Sequence, residues 1–273
     1  MLRTRLISAA IMIPLVVYGV LYLSTDMFLL ILAAILLAGM WEWGRLALLP
    51  GTPARIAYLV VIAGLFWLCH AAGLEAIAWP VLLVACVWWL CALIWLTRPR
   101  LCAGQSPACT AVKLVAGILV AVPAWLALTL IHGAADDGPR LVLILLVMVW
   151  LADSGAYFAG RYLGRHKLAP VVSPGKTWEG VYGGLLASVL FAAAIAWLLL
   201  DAALPWTAKF MLATLVAMMF SVVGDLLVSL LKRQSGIKDS GSIIPGHGGI
   251  FDRIDSLVAA APLFLSAYRW LEL

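Results

Sequence analysis

From Leu141 to Arg161 the chain reads L-V-L-I-L-L-V-M-V-W-L-A-D-S-G-A-Y-F-A-G-R: an unbroken apolar run, one aspartate, then an arginine eight positions later. As a helix, about 20 residues rising 1.5 Å each cover roughly 30 Å, the thickness of a bilayer's hydrocarbon core. A carboxylate inside such a run costs roughly 2.5–3.5 kcal/mol at the helix centre on insertion scales, so Asp153 is read as functional from the start.

Runs of the same kind follow one another along the chain. Of its 273 residues 65% are hydrophobic and only 11% charged, against roughly 25% charge in an ordinary soluble domain. That is too little charge to cover a water-soluble surface of this size, which excludes a soluble enzyme, a nucleic-acid-binding domain and a disordered chain. Nine spans are expected, at about 6–23, 27–44, 56–73, 77–96, 112–132, 140–160, 180–200, 207–231 and 250–270, in one all-α polytopic membrane domain. The opening M-L-R-T-R followed by Leu6 to Leu23 has too long an apolar run and no A-x-A site for a signal peptide, and is read as a retained first span. Cys69, Cys86, Cys91, Cys102 and Cys109 form no C-x-x-C pair and read as small hydrophobes, without a disulfide framework or zinc site.

The net charge is +5, but the placement of charge is more telling. Sorting Lys and Arg onto alternating sides of the nine spans puts 15 of the 18 on one side, leaving only Arg140, Lys209 and Arg269 on the other. By the positive-inside rule the N-terminus is then cytoplasmic, the C-terminus outside, and the long polar loops 161–179 and 232–249 cytoplasmic. No internal repeat is visible. Residues 1–140 form spans of unclear role; residues 141–273 hold the catalytic helices and loops.

A second intramembrane acid, Asp225, lies seven residues before Lys232, so both acids fall about 10–12 Å below the same face. Asp225, Ser229 and Lys232 share a helix face, as do Asp153, Tyr157 and Arg161. The ninth span starts from that side with F-D-R-I-D-S, placing Asp252 and Asp255 three residues apart on one face. Gathered carboxylates repel unless a cation lies between them, and hard oxygen donors without thiols or several imidazoles favour Mg²⁺. Asp225 and Asp252, on antiparallel neighbours, are the expected ligands. Lys232, Arg233, Lys238 and Arg253, with Lys176 from the other loop, supply charge for phosphates, the equipment of phosphoryl or nucleotidyl transfer. Gly246, His247, Gly248 and Gly249 precede the ninth span, where glycines let backbone N–H groups approach an anion.

Other readings stand beside these. Asp153 and Asp225 could join helices by a buried hydrogen bond or ion pair, or couple ions in a transporter; His247 could be a plain turn residue. Arg3, Arg5, Arg45, Arg55, Arg98 and Arg100 read as orienting charge, His70, His132 and His166 as interfacial or solvated, and Glu42, between Trp41 and Trp43, as an interfacial belt residue. Ser173 to Gly180, S-P-G-K-T-W-E-G, contains G-K-T, but a P-loop needs glycine where Pro170 stands, and no strand is expected before it. What remains is Lys176, the hydroxyls of Ser173 and Thr177, and a glutamate at the mouth of the seventh span.

From Ser229 to Asp255 the chain reads S-L-L-K-R-Q-S-G-I-K-D-S-G-S-I-I-P-G-H-G-G-I-F-D-R-I-D. This resembles the C-terminal signature of the CDP-diacylglycerol synthases, or phosphatidate cytidylyltransferases, through Ser229, Lys232, Arg233, Lys238, Asp239, Gly241, Pro245, His247, Gly248, Gly249, Asp252, Arg253 and Asp255. The segments around Asp153 and Ser173–Gly180 are similar to two further family stretches, so the resemblance covers about the last 120 residues. Gly175 departs from it, since many members carry a second Lys there. The resemblance implies transfer of a cytidylyl group from CTP to phosphatidate with Mg²⁺, in a bacterial inner membrane, the lipid coming from the inner leaflet. It also suggests a homodimer and a monovalent second cation. The implied site joins Asp225, Asp252, Asp153, Lys232 and Arg233 as catalytic residues with Lys176, Ser173, Thr177, Lys238, Asp239, His247, Gly248, Gly249, Arg253 and Asp255 for substrate. A CTP-dependent lipid or polyisoprenol kinase and a cation-coupled transporter are the rival classes.

Overall fold

A computed structural model describes residues 2–104, 106–135, 137–198, 202–241 and 248–273. The apolar runs become helices wherever their ends can be satisfied. The hydroxyl of Ser24 accepts from Met27 N (3.3 Å) to start α2 (Thr25–Leu46), and that of Ser106 accepts from Cys109 N (3.2 Å) to start α5 (Pro107–His132), with a proline in the first turn. Between and around them run α1 (Leu2–Tyr22), α3 (Gly51–Ala71), α4 (Leu74–Thr97), α6 (Gly138–Leu163), α7 (Trp178–Leu198) and α8 (Leu204–Ser235). Among the described residues, α2 to α8 are seven helices long and apolar enough to cross a bilayer, making this an all-α integral membrane protein.

The ninth expected span is broken. Phe251–Ile254 forms a short α9, Asp255 and Ser256 stay in helical dihedrals without continuing the helix, and α10 runs Leu257–Trp270. The acids of that span therefore lie at a break that precedes α10. A second departure is a small hairpin in the loop after α6: β1 (Lys167–Ala169) pairs antiparallel with β2 (Ser173–Thr177), with Lys167 opposite Thr177. Its strands are too short to show a two-residue period in sequence, so only pairing across the Pro170 turn reveals them.

α5 is the buried axis, packed by α2, α4 and α10. α6 and α7 pack closely through small residues: a Cβ on Gly184 would meet Ala152 O, the small-residue contact that lets membrane helices approach without a hydrophobic drive. α8, with 32 residues, is about 48 Å long and outruns a bilayer core, and its last turns carry Lys232 and Arg233. Gly236, at φ 72°, stops it in the left-handed conformation, and the N–H groups of Gly236 and Ile237 return to the carbonyls of Arg233 and Lys232.

Two readings of single residues change. His132 is buried rather than solvated: it stacks on Phe28, with Nε2 3.0 Å from Val20 O and Nδ1 3.1 Å from Thr25 Oγ1. A helix end closing against α1 and α2 can bury an imidazole because both ring nitrogens find partners there. His166 is exposed, as expected, and meets Glu179 at 2.6 Å. The five cysteines are free thiols.

Candidate active site

The polar end of α8 is where the chemistry-bearing residues gather. Asp225 and Ser229 are one turn apart, and the Ser229 hydroxyl donates to Asp225 Oδ1 at 3.3 Å. The hairpin folds over this face. Lys176, near the end of β2, brings its Nζ to 2.5 Å from Asp225 Oδ2, and Arg233 Nε donates to Val172 O in the hairpin turn. The hairpin, unreadable in sequence, thus carries the one lysine of its loop that reaches an intramembrane carboxylate.

The α9–α10 break approaches α8 from the other side. A Cβ on Gly224 would stand 2.3 Å from Asp255 O, so the absence of a side chain there lets the break lie directly against α8, level with Asp225. Asp225 lies within electrostatic reach of both Asp153 and Asp255, and Lys176 of the same two. Three carboxylates from α6, α8 and the break therefore share one region, with Lys176 among them and Arg253 acting on Asp153. Asp153 is exposed, and Asp225 and Asp255 are half-buried.

Asp252 lies about 4.5 Å further toward the polar end, three helical residues from Asp255. Its Oδ1 receives Lys232 Nζ at 2.8 Å, while Oδ2 accepts from Ser240 N (2.9 Å) and Gly249 N (3.3 Å). Burial works against charge on this carboxyl, but the ammonium and the backbone N–H groups outweigh it and hold the group below its ordinary pKa. The expected direct pairing of Asp225 with Asp252 is thus spread along α8. Each acid faces its own lysine, and Asp153 and Asp255 lie within electrostatic reach of Asp225.

The remaining expected residues separate by role. Lys238, Asp239 and Arg233 are exposed after and at the end of α8; Arg253 is exposed on α9; Ser173 is half-buried at the start of β2. Gly248, at φ 82°, lies beside both Asp239 and Asp252, and Gly249 donates to Asp252. His247 falls outside the described residues. Thr177 is buried, and its hydroxyl accepts from Gly180 N at 3.1 Å, which makes it the cap of α7 instead of a group turned toward substrate.

Glu42 is 1% exposed, not an interfacial belt position. Its Oε2 accepts from Ser240 Oγ (2.9 Å) and Phe251 N (2.9 Å), and its Oε1 from Ile250 N (3.1 Å). The flanking tryptophans suggested an interface, but Trp43 is itself buried, stacked edge-on against Phe251 with its indole N–H on Lys113 O. A charged residue amid an apolar span was the available signal, the same one that marked Asp153 and Asp225.

The donor chemistry fits a hard divalent ion. Asp225 and Asp252 are each already set against an ammonium, so each occupies a place where positive charge is favoured. Among the described residues no group of three or more His, Cys, Asp or Glu is placed to hold a metal ion by itself. Mg²⁺ characteristically takes one or two carboxylates and completes its shell with water and substrate phosphates, so an open set of this kind suits it.

Comparison with known proteins bears on the chain as a whole. A phosphatidate cytidylyltransferase of Pseudomonas aeruginosa is 41% identical over 272 residues, covering 99% of this chain and 97% of its own. One of Haemophilus influenzae is 35% identical, covering 98% and 99%. One of Staphylococcus epidermidis is 45% identical over 137 residues, about half of either chain. The sequence profile of the cytidylyltransferase family matches residues 3–271. With nearly its whole length matched, and with the signature residues gathered at one end of the bundle, the chain belongs to the cytidylyltransferase family.

Proposed function

We propose that this protein transfers the cytidylyl group of CTP to phosphatidate, giving CDP-diacylglycerol and pyrophosphate, with Mg²⁺, at the cytoplasmic face of a bacterial inner membrane. The observation that carries this reading is the convergence of Asp153, Asp225 and Asp255 with Lys176, next to the Asp252–Lys232 pair, where the two polar segments leave the bundle. A nucleotide arriving from water and a lipid head group held at the membrane surface both reach that depth. The names of the relatives supply the substrates, and the segregation of Lys and Arg supplies the orientation, N-terminus inside and C-terminus outside.

Asp225, with Asp153 and Asp255 around it, would offer one carboxylate to the ion and Asp252, at the Lys232 end of α8, another; when bound the ion neutralises and orients triphosphate oxygens. Lys176 and Lys232, whose ammonium groups already lie among the carboxylates, would meet the phosphate charge, with Arg233, Lys238 and Arg253 drawing the triphosphate and lipid phosphate to the mouth. Such transfer depends mainly on alignment and charge stabilisation, which fixed groups on α8, β2 and α9 provide. A phosphatidate oxygen attacks the α-phosphorus; the bond from that phosphorus to the oxygen bridging it to the β-phosphorus breaks, and pyrophosphate leaves. The attacking oxygen is ionised near neutral pH, so no general base is assigned. The helices before α6 would brace this machinery, and a homodimer and a second, monovalent cation belong to the same reading by family resemblance.

The test is membranes containing the protein, supplied with cytidine-labelled CTP and phosphatidate. Lipid-soluble cytidine label that depends on Mg²⁺, and disappears on chelation, is the expected result. Label that stays aqueous while the lipid gains one phosphate would replace the reading with a kinase; no lipid product with any metal would reject both.

A further inference from the structure

Glu42 belongs to α2, far in sequence from the cytidylyltransferase signature, yet among the described residues its three side-chain hydrogen bonds all end on the segment that delivers Asp252. Ser240 lies on the outgoing side of that segment and Ile250 and Phe251 on the returning side, so one carboxylate joins both ends. The same two ends serve Asp252: Ser240 N and Gly249 N donate to its Oδ2, leaving Oδ1 for Lys232. Glu42 therefore acts on the very backbone that aims the Asp252 carboxylate.

The surroundings are built around this side chain. A Cβ on Gly241 would collide with Glu42 Oε1, and one on Gly249 with Glu42 Oε2 and Ser240 Oγ. Phe251 packs beside Gly39, one turn before Glu42, where an added Cβ would approach to 2.9 Å. Donors that converge on a buried carboxylate are charge-assisted, stronger than neutral hydrogen bonds, and costly to leave unpaired.

We propose that Glu42 is a positioning residue of the active site: it clamps the ends of the Ser240–Phe251 segment together, so that Asp252 and Lys232 meet substrate in fixed geometry. This rests on the reading of the site given above and assigns the N-terminal half of the chain a direct part in it. Glu42 touches neither substrate nor ion; it acts through the backbone of Ser240, Ile250 and Phe251.

The experiment uses the full chain in lipid nanodiscs as wild type, Glu42→Ala and Glu42→Gln, with Glu75→Gln, in the Glu75–Arg269 ion pair, as control. Two readouts are taken: steady-state kinetics with varied CTP, and amide exchange at Ile250 and Phe251 relative to α8. Glu42→Ala is expected to speed exchange at these two amides by about tenfold or more and to lower kcat roughly 10- to 100-fold. Glu42→Gln, which keeps one carbonyl acceptor but points an amide NH₂ at a donor, falls between wild type and Glu42→Ala on both scales. Wild-type protection at Ile250 and Phe251 in Glu42→Ala would overturn the clamp. Lost protection with unchanged kinetics would overturn the positioning role, leaving a brace. Should Glu42→Ala fail to accumulate, Glu42→Gln and Ser240→Ala decide by the same two measurements. Absence of cytidylyl transfer in the wild type would refute the functional reading, while the exchange comparison would still test the clamp.

Discussion

Gly224→Ala probes the contact on which the site's depth depends. An ordinary van der Waals approach for a Cβ begins at 3.4 Å, whereas here the new methyl would stand 2.3 Å from Asp255 O and 2.9 Å from Ala259 Cβ. The shortfall is about 1 Å, and the obstructing atom is backbone, which cannot turn away as a flexible side chain would. α8 and the α9–α10 break must therefore part by about that distance, carrying Asp255 and Asp252 away from Asp225 and Lys232. Displacements of 1 Å in a positioned site can cost about 10²-fold in rate, or about 2.7 kcal/mol of transition-state stabilisation. The overpacking itself is expected to remove about 1–3 kcal/mol of stability. The assay is cytidylyl transfer from CTP to phosphatidate in detergent micelles, alongside thermal unfolding of the same preparation. Gly175→Ala is the control, since a Cβ there meets nothing within 4 Å and its φ is unexceptional. A Gly224→Ala enzyme as active and as stable as wild type would show that the break does not need its close seat on α8, and the arrangement of acids argued from it would fall.

Three further outcomes are expected. Asp225→Asn and Asp252→Asn should each reduce turnover by about 10²-fold or more while the protein stays membrane-inserted; near-normal rates in either would remove that acid from the metal-binding proposal. Thr177→Ala should cost about 0.5–2 kcal/mol of stability, as loss of a helix cap does, with the KM for CTP unchanged; a large rise in KM would return Thr177 to the substrate site. Arg269→Ala removes an ion pair whose Glu75 side chain is 70% exposed, so stability should change by less than about 1 kcal/mol and activity not at all; a measured loss of activity would show that this remote pair communicates with the site.

The membrane class and the acids of interest were legible because lipid imposes a one-dimensional rule. Each crossing segment must be a helix of about 20 apolar residues, and any charge within it is conspicuous. Asp153 and Asp225 stood out for that reason, and the dense pattern from Ser229 to Asp255 marked the family. The same rule misjudged Glu42 and His132. Whether a polar residue near the end of a span faces headgroups or a neighbouring helix depends on packing, and adjacent tryptophans favour neither outcome.

What the order of residues determined by itself was therefore the all-α membrane class, the uneven spread of positive charge, and the set of groups able to do chemistry, since all of these follow from local composition and helix geometry. Tertiary structure alone decided which of those groups meet. Gly224 admits Asp255 beside Asp225, the β1–β2 hairpin brings Lys176 to the same carboxylate, and Lys232 and the backbone of Ser240 and Gly249 take Asp252. Glu42 reaches across about 200 positions to Ser240 and Phe251, because close approach between helices depends on which residues lack a side chain at the point of contact, and that point is defined only when both helices are in place.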